Sequence, residues 1–164
     1  MKFPASTVQT GFDSPLGRII AAASDDKLVG IWFDKQRHLP DTGAWAQVSE
    51  HPVLQQTRIQ LNDYFNGRRS TFELPLDLSM GTLFQQKVWQ ALLKIPCGTT
   101  VSYGALSAAI GQPAAVRAVG GAVGHNPFSI VVPCHRVIGT DGSLTGYAGG
   151  LERKTALLQL ETTP

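Results

Sequence analysis

The sequence predicts an α+β protein in two parts: a small N-terminal α/β lobe over residues 1–79, an antiparallel sheet plus a helix, and a mostly helical lobe over 80–164 that carries a helix-turn-helix. Three observations predict it. The chain opens with strand-type patterning up to Phe33, capped segments of helical spacing fill 82–123, and Ser79-Met80-Gly81 reads as a linker between the two. With 164 residues, 43% hydrophobic and 16% charged, the chain can fill a core but cannot build a large multidomain machine.

In the first lobe, Thr7 to Phe12, Arg18 to Ala23 and Leu28 to Phe33 read as strands. Turns at Ser14-Pro15-Leu16-Gly17 and Ser24-Asp25-Asp26 join them into an antiparallel meander. Residues 36–50 hold Pro40, Asp41, Thr42 and Gly43 without a period and read as loop. Leu54, Leu61 and Phe65 share one helical face in Pro52 to Phe65, with Gly67 as the stop, and Thr71 to Leu76 reads as a short strand. Nothing in this lobe suggests chemistry.

In the second lobe, Thr82 caps a helix to Leu93 with Phe84, Val88 and Leu92 on one face. Ser102 caps another that runs to Ile110 and stops at Gly111, and Pro113 starts a third, Ala114 to Val123. Helix, tight glycine-containing turn, helix is a helix-turn-helix pattern, and equally that of an ordinary helical hairpin. The third helix carries Ala114, Ala115, Ala118, Gly120, Gly121 and Ala122, with Arg117 as its one long polar side chain. Close helix packing explains the small residues; so does a helix pressed against DNA with Arg117 reaching the duplex. Leu151 to Leu160 reads as a last helix packed through Leu157, Leu158 and Leu160.

Charge and composition exclude several classes. The net charge of +2 divides into −1 over residues 1–80 and +3 over 81–164, which permits nucleic-acid binding without requiring it. No apolar run reaches the roughly 18 residues of a membrane span, and MKFPASTVQT lacks a secretory apolar stretch, so a soluble, cytoplasmic monomer is expected. Cys97 and Cys134 are too few for a disulfide framework, and reduced thiols are the default.

Ile130, Val131 and Val132 form a β-branched run that reads as a buried strand delivering Cys134 to a bend in Pro133-Cys134-His135-Arg136-Val137. A cysteine attacks as thiolate, so its pKa of about 8.5 must be lowered by a cation, a helix N-terminus or a base. His135 is adjacent, yet neighbours on a strand point to opposite faces, so contact requires a turn or an intervening water. The competing reading is a buried packing cysteine. Gly146-Tyr147-Ala148-Gly149-Gly150 suits the wall of a pocket for a planar ligand, or a surface turn. Glu161, an acid at a helix C-terminus, opposes the macrodipole and either frays or has a specific partner. Asn126 can bond turn backbone and hold the Cys134 segment against the third helix. Cys97, without an acid–base neighbour, reads as structural. These residues by themselves leave a cysteine enzyme and a DNA binder both open.

IVVPCHRVI at Ile130 to Ile138, with Arg117-Ala118-Val119-Gly120-Gly121, Gly124-His125-Asn126-Pro127 and GYAGG, resembles the O6-alkylguanine-DNA alkyltransferases. The resemblance spans Thr82 to Glu161; the first lobe is similar in size and layout. It implies direct-reversal repair of double-stranded DNA: after nucleotide flipping, the alkyl group of O6-alkylguanine, with O4-alkylthymine as a second candidate, passes to Cys134 in a stoichiometric reaction. It further implies that His135 deprotonates Cys134 through a water and that Glu161 orients and charges the imidazole. Asn126 would bridge the recognition helix to the active turn, Arg117 would fill the gap in the base stack, and Tyr103 would crowd the target phosphate. Tyr147 and the Ala148 N–H would line the pocket beside O6, and the carbonyls of Cys134 and Val137 would accept from the guanine amine. No cofactor is implied. Some members hold zinc through N-terminal cysteines, which this lobe lacks, and a related non-transferring group has tryptophan in place of the reactive cysteine.

Overall fold

A computed structural model describes residues 1–163. Strands β1 (Val8–Ser14), β2 (Gly17–Ser24) and β3 (Lys27–Phe33) form the expected antiparallel meander, with Phe12 opposite Ile19 and Ala21 opposite Ile31. The expected loop 36–50 contains a fourth, two-residue strand, β4 (Ala46–Gln47), paired parallel to Val8 and Gln9 at the outer side of β1. Helix α1 (Pro52–Phe65) begins at His51, whose ring accepts from the Val53 amide, and buries Leu54, Leu61 and Tyr64 against the sheet. The strand expected at Thr71 to Leu76 is absent. That segment is held by the Gln60 side chain, which bonds both the amide and the carbonyl of Glu73, and only Leu76 bridges the sheet, at Leu28.

Helix α2 (Leu83–Leu92) starts in a reciprocal capping box between Thr82 and Gln85, the Gln playing the acidic residue's part. It buries Val88, Trp89 and Leu92, and Trp89 donates its indole N–H to the Ala122 carbonyl at 2.8 Å. The helix-turn-helix is α3 (Tyr103–Ala109), capped by Ser102, and α4 (Val116–Gly124), with Gly111 at φ 75° between them. Helix α4 begins two residues later than the sequence suggests. Pro113 sits inside a turn closed by the Ala115 amide on the Gln112 carbonyl, rather than in the first helical turn. Helix α5 (Leu151–Thr162) follows the glycine-rich loop and points Lys154, Leu157 and Glu161 along one inward face.

The two halves share one interior: Phe33, Leu61 and Tyr64 belong to the same buried cluster as Trp89, Phe128, Cys134 and Leu157. Backbone pairing joins them as well. The Ile31 amide donates to the Pro127 carbonyl at 2.8 Å, and the Ser129 amide returns a bond to the Ile31 carbonyl at 2.9 Å. Among the described residues, no helix is long and apolar enough to cross a membrane.

Candidate functional site

The apolar run before Cys134 is buried but is not a strand. Ile130 takes φ 72°, a left-handed conformation that costs a β-branched residue energy, and the chain turns there instead of extending. Asn126 supplies the reason. Its amide nitrogen donates to the Val132 carbonyl at 2.8 Å and the Phe128 carbonyl at 3.3 Å, and its oxygen accepts the Phe128 amide at 2.9 Å, while the Val131 and Val132 amides fold back onto the Ser129 and Phe128 carbonyls. Cys134, His135 and Arg136 then form a single 3-10 turn that leads into β6 (Val137–Ile138), which pairs parallel with β5 (Val101–Ser102) directly before the helix-turn-helix. Consecutive side chains on that turn are about 120° apart rather than opposed, so Cys134 can face a cleft while His135 faces the interior.

The cleft is about 320 Å³, and Cys134, only 6% exposed, lies at its floor. Tyr103, Gly120 and Gly121 of the helix-turn-helix form one wall; Gly146, Tyr147 and Ala148 form another. Gly149 has to be glycine, because a Cβ there would meet the Tyr147 ring at 2.7 Å and the Phe33 ring at 3.2 Å. Tyr147 is half-buried, its hydroxyl shielded from solvent and unpartnered, and the Tyr103 hydroxyl reaches the Thr145 carbonyl at 3.4 Å. Arg117 lies on the exposed face of α4 with Ala118 and Gly121, opposite the buried Val119, Ala122 and Val123. Val137 stands apart from the cleft lining. Its amide donates to the Cys134 carbonyl and its carbonyl accepts Lys154 Nζ at 2.6 Å, so both carbonyls expected to face a ligand already hold an internal bond.

Behind the floor, His135 is fully buried and its Nε2 lies 2.6 Å from Glu161 Oε2. Burial alone would raise the Glu161 carboxyl, but bonds from His135, Arg136 and Tyr64 hold it far below the ordinary 4.5, so it only accepts. Nε2 therefore carries the proton, and Nδ1, buried without a partner, is the basic nitrogen. Burial pushes the His135 pKa below its ordinary value despite the carboxylate, leaving the ring neutral at neutral pH. Burial likewise pushes the Cys134 thiol up, opposed by the Asn126 side chain and the charge of Lys154. The resting pair is thus thiol and neutral imidazole, with a cation and a carboxylate placed to support the ionised pair.

Several contributors had no local signal in the sequence. Arg136 clamps Glu161 bidentately, Nε to Oε1 at 2.8 Å and Nη2 to Oε2 at 2.9 Å, and donates Nη1 to the Ile95 carbonyl at 2.7 Å. Arg37 and His38 reach the cleft mouth from the loop after β3, where the Arg37 amide bonds the Ala148 carbonyl and His38 stacks on His125 with ring centroids 4.0 Å apart. Lys154 stands three residues before Leu157 and seven before Glu161, on one face of α5.

Residues 83–163 match the family description "6-O-methylguanine DNA methyltransferase, DNA binding domain", and residues 8–78 match "6-O-methylguanine DNA methyltransferase, ribonuclease-like domain". A Haemophilus influenzae methylated-DNA–protein-cysteine methyltransferase is 46% identical over 156 residues, covering 94% of this chain and 86% of that one.

This chain belongs to the 6-O-methylguanine DNA methyltransferase family.

A Mycobacterium tuberculosis methyltransferase of the same name is 48% identical over 149 residues, covering 91% of this chain and 88% of its own. The crystal structure of the M. tuberculosis O6-methylguanine methyltransferase superposes with a TM-score of 0.88 at 46% identity, over 95% of this chain and 93% of that one. The M. tuberculosis protein in complex with DNA gives 0.87, over 94% and 92%. The α+β architecture of the 6-O-methylguanine DNA methyltransferases is therefore that of this protein from β1 to α5.

Proposed function

We propose that this protein is a methylated-DNA–protein-cysteine methyltransferase that reverses O6-alkylguanine damage in double-stranded DNA by moving the alkyl group onto Cys134. One observation carries the assignment of the acceptor: Cys134 forms the floor of a cleft beside the helix-turn-helix, with a buried His135–Glu161 pair directly behind it.

The chemistry follows from reach and charge. An alkyl group on a stacked base cannot contact a thiol at a cleft floor, so the nucleotide leaves the helix, at a cost of a few kcal/mol. Arg117, exposed on the face of α4 whose neighbours are Ala118 and Gly121, enters the vacated position without steric conflict. Tyr103 packs against the target phosphate, and Tyr147 and the Ala148 N–H meet the base at O6. His135 takes the Cys134 proton on Nδ1 through a water, and Glu161 stabilises the imidazolium that results. The thiolate sulfur then forms a bond to the alkyl carbon as the carbon–O6 bond breaks. The released electron pair moves onto the purine, which takes at a ring nitrogen the proton that His135 returns through water and remains in the strand as guanine. Asn126 holds the turn that aims the sulfur. Val137 acts through its carbonyl only if the second lone pair is used, since Lys154 holds the first.

In this reading the boundary falls at residues 79/80, the first part supporting the second. A reducing cytoplasm keeps Cys134 and Cys97 as thiols, as the chemistry demands. The deciding experiment is intact mass after incubation with duplexes bearing O6-methylguanine, a larger O6-alkyl group, or O4-methylthymine. A permanent gain matching the alkyl group, mapped to the Cys134 peptide, supports the reading. An unchanged mass with every substrate overturns it.

A further inference from the structure

Glu161 accepts four hydrogen bonds, and one of them comes from the N-terminal half. Oε1 takes Arg136 Nε at 2.8 Å, while Oε2 takes His135 Nε2 at 2.6 Å, Arg136 Nη2 at 2.9 Å and the Tyr64 hydroxyl at 2.7 Å. Tyr64 belongs to the last turn of α1, 97 residues away in sequence, and is only 2% exposed. Its ring is gripped by Phe65 at 5.4 Å in an edge-on contact and by Phe72 at 5.5 Å, so the aim of the hydroxyl is set by packing within the N-terminal half.

Tyr64 and His135 donate to the same carboxylate oxygen. Each donor on an anionic oxygen draws density from it and leaves less to hold a proton or a cation elsewhere. A phenol docked on Oε2 therefore weakens the pull of Glu161 on the imidazole while locking the carboxylate in the orientation that His135 requires.

We propose that Tyr64 is a positioning residue of the alkyl-transfer relay: from the N-terminal half it fixes the Glu161 carboxylate and restrains its draw on His135, and so sets the pH at which Cys134 becomes reactive. This rests on the reading of Cys134 as the alkyl acceptor. It makes the N-terminal half part of the acid–base machinery rather than a support alone.

The groups around Glu161 leave His135 as the one that changes charge near neutrality. Arg136 is held cationic by its bonds to Glu161, and the guanidinium side chains of Arg68 and Arg69 border the small cleft behind Glu161. Cys97, from the loop after α2, borders the same cleft; burial and then the Glu161 charge push its thiol up, keeping it neutral. Burial and the same charge push the Tyr64 phenol far above its ordinary 10.0, so it acts only as a donor. Lys154, from α5, faces the His135–Cys134 side; burial pulls its pKa below the ordinary value, and its ammonium donates to three carbonyls.

The test is the pH dependence of Cys134 carboxamidomethylation by iodoacetamide, followed by peptide mass so that Cys97 is scored apart, alongside single-turnover methyl transfer from an O6-methylguanine duplex. Tyr64→Phe keeps the ring and removes the donor; His135 becomes the stronger base and the midpoint moves down by about half a pH unit, roughly a threefold faster reaction on the acid side. 3-Fluorotyrosine at position 64 keeps the contact and donates more strongly, so the midpoint moves up. Opposite shifts of the two variants support the inference. An unmoved midpoint in both, or a rate lost equally at every pH, overturns it and leaves Tyr64 as packing only. Failure of the unaltered protein to transfer methyl would instead overturn the reading of Cys134.

Discussion

Lys154 lies with its ammonium 2.6 Å from the Val137 carbonyl oxygen, inside the protein and fully shielded from solvent. The same nitrogen donates to Thr145 at 3.0 Å and Gly146 at 3.2 Å, so one buried cation ties β6 to the loop that walls the cleft. Lys154→Met keeps the length and removes all three bonds. Stranded carbonyls outweigh the relief of an unburied charge, and the variant is expected to lose about 2 kcal/mol in urea unfolding. Cys134 thiol reactivity falls with it, because the one nearby full positive charge that favours thiolate is gone.

Cys134→Ser retains volume but replaces the thiol by a hydroxyl whose ionisation is out of reach at neutral pH. Methyl transfer is expected to fall below about one part in a thousand, with duplex binding nearly unchanged in a fluorescence anisotropy titration. Residual transfer at the unaltered rate would move the acceptor elsewhere.

Glu161→Gln tests two consequences of one carboxylate. The neutral amide no longer supports an imidazolium on His135, so the midpoint for Cys134 modification rises, the reverse of the shift expected for Tyr64→Phe. The stability consequence has a definite sign. The Glu161 carboxyl titrates near 4.5 when unfolded and far lower when folded, so its contribution is whole above that pH and is lost as the pH falls towards the folded value. Urea unfolding of the unaltered protein should weaken on acidification below about pH 4.5, while the Gln variant lacks this component of the slope. At neutral pH the variant also leaves Arg136 buried without its partner, at a cost of about 3 kcal/mol.

Arg117→Ala separates extrusion from chemistry. Loss of the one long side chain on the exposed face of α4 should slow repair of duplex DNA by about tenfold or more while hardly changing reaction with free O6-methylguanine base. Equal losses on both substrates would put Arg117 in the fold or in the chemical step.

Repair should stop at one equivalent. The product is a thioether at Cys134, and its saturated carbon is far less open to attack than an acyl thioester. A large excess of methylated duplex should therefore yield one methyl group per protein, on the Cys134 peptide and not on that of Cys97. Turnover beyond one equivalent would contradict the mechanism.

Local signals carried the recognisable parts of this molecule. The meander, the Thr82 and Ser102 caps and the Gly111 stop all rest on interactions within a few residues, and each appears in the structure. Glu161 stood out because an acid at a helix C-terminus needs a reason, and His135, Arg136 and Tyr64 are that reason. Two strand readings failed for one cause. At Glu73 and at Ile130 to Val132, β-type residues are present, but their backbone groups are taken locally: Gln60 holds both groups of Glu73, Asn126 holds the Val132 carbonyl, and the Val131 and Val132 amides fold back onto Ser129 and Phe128. The Tyr64–Glu161 bond and the approach of Arg37 to the cleft depend on packing between distant segments, for which no short window of sequence carries a pattern.

The bonds that Ile31 exchanges with Pro127 and Ser129 have a bearing on solubility. Strand β3 ends the sheet on one side, and an open strand of buried residues such as Leu28, Ile31 and Phe33 is a template for pairing with another chain. Here residues 75–77 cover the Leu28 end of that template and the stretch just before Cys134 covers its Ile31 end, so the segment that shapes the reactive site also shields the sheet from self-association. A fragment ending near residue 80 would expose the Ile31 end of β3 and aggregate, and any variant that loosens the turn around Asn126 should precipitate on storage before its sheet unfolds.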